Sequence, residues 1–302
     1  MQRWVRLLLP HTYIDRQRRA GLLFVLPALL YFCLVFLVPL AQSILGSFYF
    51  MRPDGVARFV GLRLYNRVLT DPLFWSSVRN TVTLLLISLP ATVILGLAVS
   101  LGLNRLVSLS WRNTWAVMYF MPFSVSLVAA ALVWQWIYDP VYGFANYLFG
   151  LVGLLPQRWL QSVELVLPAV AVINVWVRLG FDTMIFLAAL QSIPAEYYEA
   201  AEIDGANSRQ RFFRITLPLL NPQIVMVCIL ELAFNFQVFD QVYATTQGGP
   251  AGASSTVIVL LYETAFKYFR LGDASVMAVF VFVSLLVVTL LQWRFFRKPV
   301  EY

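Results

Sequence analysis

Charge is what this 302-residue chain has least of: Asp, Glu, Lys and Arg make up 12% of it, and 60% is hydrophobic. A soluble domain carries roughly 25% charged residues, and a folded chain of this length must still meet water with a polar coat. The composition therefore excludes a soluble globular protein and leaves lipid as the solvent. Histidine is nearly absent as well. His11 stands alone in a charged tail, so neither metal-assisted nor Ser-His-Asp hydrolysis has its apparatus. The two cysteines, Cys33 and Cys228, lie inside apolar runs, where thiols act as small hydrophobes and no disulfide or metal site is expected. A Gly-x-x-x-x-Gly-Lys-Ser/Thr phosphate loop is missing too, which removes ATP hydrolysis from this chain. Low-complexity segments and a domain-dividing linker are absent. So is an internal repeat, which argues against an inverted-repeat secondary transporter. The net charge of +7 does not point to nucleic acid, because the arginines form no patch interleaved with aromatics.

What is there, in quantity, is apolar sequence. A membrane-spanning helix takes about 20 apolar residues, and runs of that length occur six times, over 21–42, 81–103, 114–137, 165–190, 217–239 and 274–293. The expected fold class is all-α, a single polytopic membrane domain of six transmembrane helices covering residues 1–302. Pro27, Pro39, Pro90, Pro122, Pro168 and Pro222 fall in or near these runs. Membrane helices tolerate proline when neighbouring groups satisfy the freed carbonyl, so each marks an expected kink. The first run is too long for a signal-peptide core and lacks a small-residue cleavage site, so it is expected to persist in the mature protein.

Orientation follows from Lys and Arg. Arg3, Arg6, Arg16, Arg18 and Arg19 precede the first run, Arg105 and Arg112 lie between the second and third, and Arg294, Arg297 and Lys298 follow the sixth. Six spans put all of these on one face, the cytoplasmic one, with both termini inside. Arg52, Arg58, Arg63 and Arg67 oppose this from the first outer loop, whose length weakens their weight. The outer connections are 43–79, 139–161 and 241–273, and the last contains Thr246-Gln247-Gly248-Gly249-Pro250, a turn signal.

The fourth–fifth connection, 193–218, then faces the cytoplasm. Pro194 ends the fourth span, and 195–204 reads as a short helix with glutamates in its first turns, suited to the positive end of the helix dipole. Gly205 breaks it, permitting a turn that a Cβ resists. A second short amphipathic piece exposes Arg209, Arg211 and Arg214 and buries Phe212 and Phe213, and Pro218 opens the next span. Physical reading alone leaves open whether this is a solvated loop or a docking element.

Glu199-Ala200-Ala201, three residues, Gly205, nine residues, then Ile215-Thr216-Leu217-Pro218 resembles, in residues and spacing, the EAA loop of binding-protein-dependent ABC importer permeases. Leu187-Ala188-Ala189-Leu190-Gln191-Ser192-Ile193-Pro194, Asp204-Gly205-Ala206, Thr246-Gln247-Gly248-Gly249-Pro250 and Gly272-Asp273-Ala274-Ser275 are similar to the carbohydrate-uptake branch, of the maltose and glycerol-3-phosphate type. The likeness covers residues 74–297, with the first span fitting more loosely. It implies a type I importer transmembrane domain whose EAA loop is a coupling helix seated in a cleft of the nucleotide-binding subunit. Glu199, Ala200, Ala201, Asp204, Gly205, Arg209 and Phe213 would form the contact, with Glu199 and Asp204 as polar anchors. It further implies a second homologous permease, two ATP-binding subunits that carry ATP and Mg, an external solute-binding protein, and residence in a bacterial or archaeal inner membrane. No cofactor and no nucleic acid is expected on this chain, and the solute would be a sugar or sugar-like molecule moved by alternating access.

Polar residues inside the runs are the other candidates. Arg178 and Asp182 lie in the fourth, Glu231 and Asn235 in the fifth. An ionisable group at bilayer depth costs about 2.5–3.5 kcal/mol on insertion scales, so it is paired or lines a cavity. At about 1.5 Å per residue, both Arg178 and Glu231 fall near the midplane. Arg178, Phe181 and Asp182 share one helix face; Glu231, Phe234, Asn235 and Val238 share another. Two readings stand here: a structural ion pair of Arg178 with Asp182 or Glu231, or stripes lining a translocation cavity. The resemblance favours the cavity, although Arg178 stands where a small residue is expected, so the solute's identity does not carry over. Asp240 and Gln241 are further cavity or gate candidates. The rival function is an ion-coupled secondary transporter using Asp182 or Glu231, and a membrane-embedded enzyme is disfavoured by the missing catalytic groups.

Overall fold

A computed structural model describes residues 13–51 and 57–296. Arg3, Arg6, His11, Arg52, Arg297 and Lys298 lie outside the described residues, as do the side chains of Arg16 and Arg19.

The chain begins with α1 (Tyr13–Phe32), a π-turn at Cys33–Leu37 and α2 (Val38–Gly46), which together form one apolar span, Ala20–Gly46. None of its most apolar window is buried. In lipid that exposure carries no hydrophobic penalty, because the tails are as apolar as the side chains. A hairpin of β1 (Tyr49–Met51) and β2 (Ala57–Phe59) follows, then α3 (Arg63–Leu69). The hairpin lies in a stretch expected only to be loop.

The second span, α4 (Pro72–Asn104), is nine residues longer at its outer end than the apolar run. Arg79 and Asn80 interrupt the run but not the helix, since Asp71 caps it by accepting from the Leu73 N–H at 2.9 Å and Pro72 supplies the fixed φ of a first turn. Pro90 sits inside this helix, which stays continuous through it.

The third run is broken. Between α5 (Leu109–Phe120) and α6 (Leu127–Ile137) lies a 3-10 turn, Met121–Ser124, and the axes bend by 98°. Pro122 cannot donate to the helical ladder, and Val125 and Ser126 are extended there. The fourth span packs into that break. A Cβ on Gly180 would overlap the Tyr119 carbonyl, so only glycine permits the approach. After α7 (Phe144–Leu151) comes the fourth span, α8 (Val166–Ser192), buried along 61% of its apolar window.

The connection 193–218 forms α9 (Ala195–Ile203), α10 (Ser208–Arg211), a π-turn Phe212–Thr216 and α11 (Leu217–Leu219). The fifth span is likewise bent, by 63°, before α12 (Asn221–Phe236). Its run over 217–239 was expected to be one span kinked near Pro222. Pro218 and Pro222 each sit in the first turn of a separate helix, where a missing N–H costs nothing. Last come α13 (Asp240–Thr245), α14 (Val257–Tyr262), a π-turn Glu263–Lys267 and the sixth span in α15 (Leu271–Phe296). Four spans are continuous and two are bent, making six when each bent pair counts as one.

The core runs along α4 and α8, with α12 against α4 and α15 against α12. Leu84, Val170, Ala171, Val238, Val242 and Val259 form its centre. At the start of α15 the buried Asp273 accepts from both Arg67 of α3 and Arg270, pinning the first connecting loop onto α15. Near the coupling loop, Ala189, Leu190, Ile193 and Leu220 form a cluster joined by Tyr198. The hydroxyls of Tyr198 and Thr216 lie 3.0 Å apart, tying α9 to the start of the fifth span.

Candidate solute cavity and coupling loop

The two polar stripes face each other. The Arg178 Nε donates to Glu231 Oε1 at 2.7 Å, and both residues are buried. Asn235 Nδ2 donates to the Glu231 carbonyl at 2.8 Å and to Oε2 at 3.3 Å, and Asn174 Nδ2 donates to Asn235 Oδ1 at 3.3 Å. The sequence left Asp182 and Glu231 open as the partner of Arg178; the geometry selects Glu231. Three rings surround the guanidinium, at 3.6 Å for Phe234, 4.6 Å for Phe181 and 5.3 Å for Phe123. Phe181 also stacks on Phe123 at 4.8 Å. Attraction to the ring faces and pairing to Glu231 together offset the cost of removing Arg178 from water.

A cavity of about 320 Å³ opens beside this pair. Of the predicted pathway residues, Arg178, Phe234, Asn235 and Val238 line it, joined by Asp240 and Gln241. Phe181, Asp182 and Glu231 do not. Phe181 and Glu231 act on the cavity through Arg178. Asp182 is fully buried beside Gly96 of α4, and neither of its carboxylate oxygens has a hydrogen-bond partner. Phe123, Asn174 and Phe239 also line the cavity and were missed. Phe123 lies in the break of the third run, which reads as plain apolar sequence. Asn174 is a full turn before Arg178 on the same face, a spacing that could have found it.

The connection 193–218 is built by local rules. At the end of α9 the Ala206 N–H reaches the Ala201 carbonyl at 2.8 Å and the Gly205 N–H reaches Glu202 at 3.0 Å. This is the Schellman pattern, with glycine in the left-handed position at φ +78°. α10 opens with a reciprocal cap between Asn207 and Gln210, and Arg211 pairs with Glu202 at 3.0 Å, closing the two helices on each other. Glu199, Ala200, Asp204, Gly205 and Arg209 are exposed, and Ala201 is half-buried. Phe213 corrects the sequence reading: expected to be buried, it is 54% exposed, edge-on to Phe212 and near Arg209. Ile203 was not singled out and is 88% exposed.

Six apolar spans, counting each bent pair as one, a cavity lined by residues of the third, fourth and fifth, and an exposed helical loop joining the last two define a polytopic membrane permease. The chain belongs to the family described as binding-protein-dependent transport system inner membrane component, which matches residues 43–298. It is 31% identical over 300 residues to the sulfoquinovosyl glycerol transport system permease protein of Agrobacterium fabrum, covering 98% of this chain and 95% of that one. To the trehalose/maltose transport system permease protein of Thermococcus litoralis it is 35% identical over 287 residues, covering 92% and 94%. Among solved structures, a chain of a bacterial alginate ABC transporter, in complex with an alginate pentasaccharide-bound periplasmic protein, superposes with a TM-score of 0.82 at 23% identity. That match covers 96% of this chain and 100% of the other.

Proposed function

We propose that this chain conducts a sugar or sugar-like solute inward as one of two permeases of an ATP-driven importer. The observation that carries this reading is the connection of parts. The exposed loop with Glu199, Ala200, Ala201, Asp204, Gly205, Arg209 and Phe213 is the direct link between the helices that hold Arg178 and Glu231. Closure of an ATPase dimer on that loop would move α8 against α12 and turn the cavity from one face of the membrane to the other. Exposed Ile203 and Phe213 supply apolar anchors for such a cleft, and Glu199 and Asp204 supply charge.

The sugar class is supported by relatives named for sulfoquinovosyl glycerol and for trehalose and maltose, and by a cavity that mixes aromatic faces with side-chain amides. The partners under this reading are a second homologous permease, two ATP-binding subunits holding ATP and Mg, and an external solute-binding protein. Both termini and the coupling loop face the cytoplasm. Residues 74–297 form the importer core within a single domain. Purification of the tagged chain from its own cells in mild detergent tests the assembly. An ATP-hydrolysing subunit in stoichiometric amount is expected, and a monodisperse, transport-competent chain without one would contradict the reading.

A further inference from the structure

The cavity's charge decides a question that the family does not. Among the described residues, two ionisable side chains line it, Arg178 and Asp240. Arg178 is committed to Glu231 and enclosed by three phenyl rings, so its charge is already balanced. Asp240 is half-buried at the start of α13 and forms no ion pair among the described residues. Counting Arg178, Glu231 and Asp240, the formal sum is one positive against two negative charges, and the buried Asp182 adds no positive charge.

The remaining lining offers hydrogen bonds without net charge. Asn174, Asn235, Gln237 and Gln241 line it with uncharged amides, of which Asn235 is already bonded to Glu231 and Asn174, and Phe239 presents an apolar ring. Arg178 Nη2 has no acceptor but is closed off from solvent, so Arg178 brings the cavity no free donor beyond the paired guanidinium. A carboxylate, sulfonate or phosphate in the cavity would compete with Glu231 for that guanidinium and meet Asp240 as a like charge. Like-charge juxtaposition is a means of excluding wrong ligands.

We infer that this permease selects a neutral, hydroxyl-rich sugar and excludes acidic sugars, with Asp240 as the excluding residue. The inference rests on the reading of the cavity as the solute path. It is tested on cells expressing the complete transporter, given a mixture in which each neutral sugar is accompanied by its uronate and its phosphate ester. Depletion from the medium is followed by mass spectrometry against cells with an inactive ATPase. The expected result is ATPase-dependent uptake of a neutral sugar about tenfold or more faster than its acidic counterparts. Equal or faster uptake of an acidic member overturns the charge rule and leaves the permease reading intact. Depletion of no sugar at all contradicts the sugar reading itself. Asp240→Asn, nearly the same shape, is expected to narrow the neutral-to-acidic ratio about threefold or more. An unchanged ratio in a complex assembled to wild-type level removes Asp240 from that role.

Discussion

Arg178 is a cation held where cations are costly, and its surroundings account for it atom by atom. Glu231 accepts from the Arg178 Nε–H at 2.7 Å, Asn235 steadies the Glu231 carboxylate, and three rings cover the guanidinium. Breaking such a buried pair by removing one partner costs about 3–5 kcal/mol, because the other charge is left uncompensated, whereas replacing both is far milder. Arg178→Met alone is therefore expected to lower the yield of assembled complex and its thermal unfolding temperature. Adding Glu231→Gln should restore both. The double variant should still transport poorly, with a changed apparent affinity, because Arg178 borders the cavity. Wild-type transport kinetics in the double variant would reduce the pair to a structural clamp.

At the scale of elements, the loop between α8 and α12 carries the sharpest consequence. Gly205 sits at φ +78°, with open space where a Cβ would stand, and its N–H closes the Schellman turn on Glu202. Proline cannot reach that φ and has no N–H to give. Gly205→Pro should leave membrane insertion intact and abolish solute-stimulated ATP hydrolysis by the complex, as should Glu199→Lys, whose side chain is exposed and touches no lipid-facing span. Insertion is read by expression in the membrane fraction and coupling by phosphate release; normal stimulation in a well-expressed Glu199→Lys complex would falsify the coupling role. This loop was legible in the sequence because its punctuation is local: Pro194 stops a helix, Gly205 reverses the chain, Pro218 starts the next helix. Kinks were expected at Pro122 and Pro222, where the third and fifth spans do bend, but equally at Pro90, which lies within an unbroken helix. Which proline breaks a helix depends on what packs against it, such as Gly180 against the Tyr119 carbonyl. Phe213 misled for a related reason: apolar character signals burial, but the surface that would cover an exposed ring can belong to another chain.

Over the whole molecule, the polar stripes on α8 and α12 meet at the Arg178–Glu231 pair, one loop joins those helices, and α4 packs against both. The first connecting loop is anchored separately through Asp273 to Arg67 and Arg270. The first span lies outside this core and buries none of its most apolar window. Two packed helices joined by an exposed loop suit alternating access driven from that loop. The rival, an ion-coupled carrier, would draw on Asp182, a buried carboxylate with no hydrogen-bond partner, and would need no partner ATPase. Uptake by the purified complex in proteoliposomes, with the binding protein and solute outside, separates the two. The account predicts uptake that requires hydrolysable ATP on the side of the coupling loop and is indifferent to proton or sodium gradients. Uptake driven by an ion gradient without ATP would contradict it.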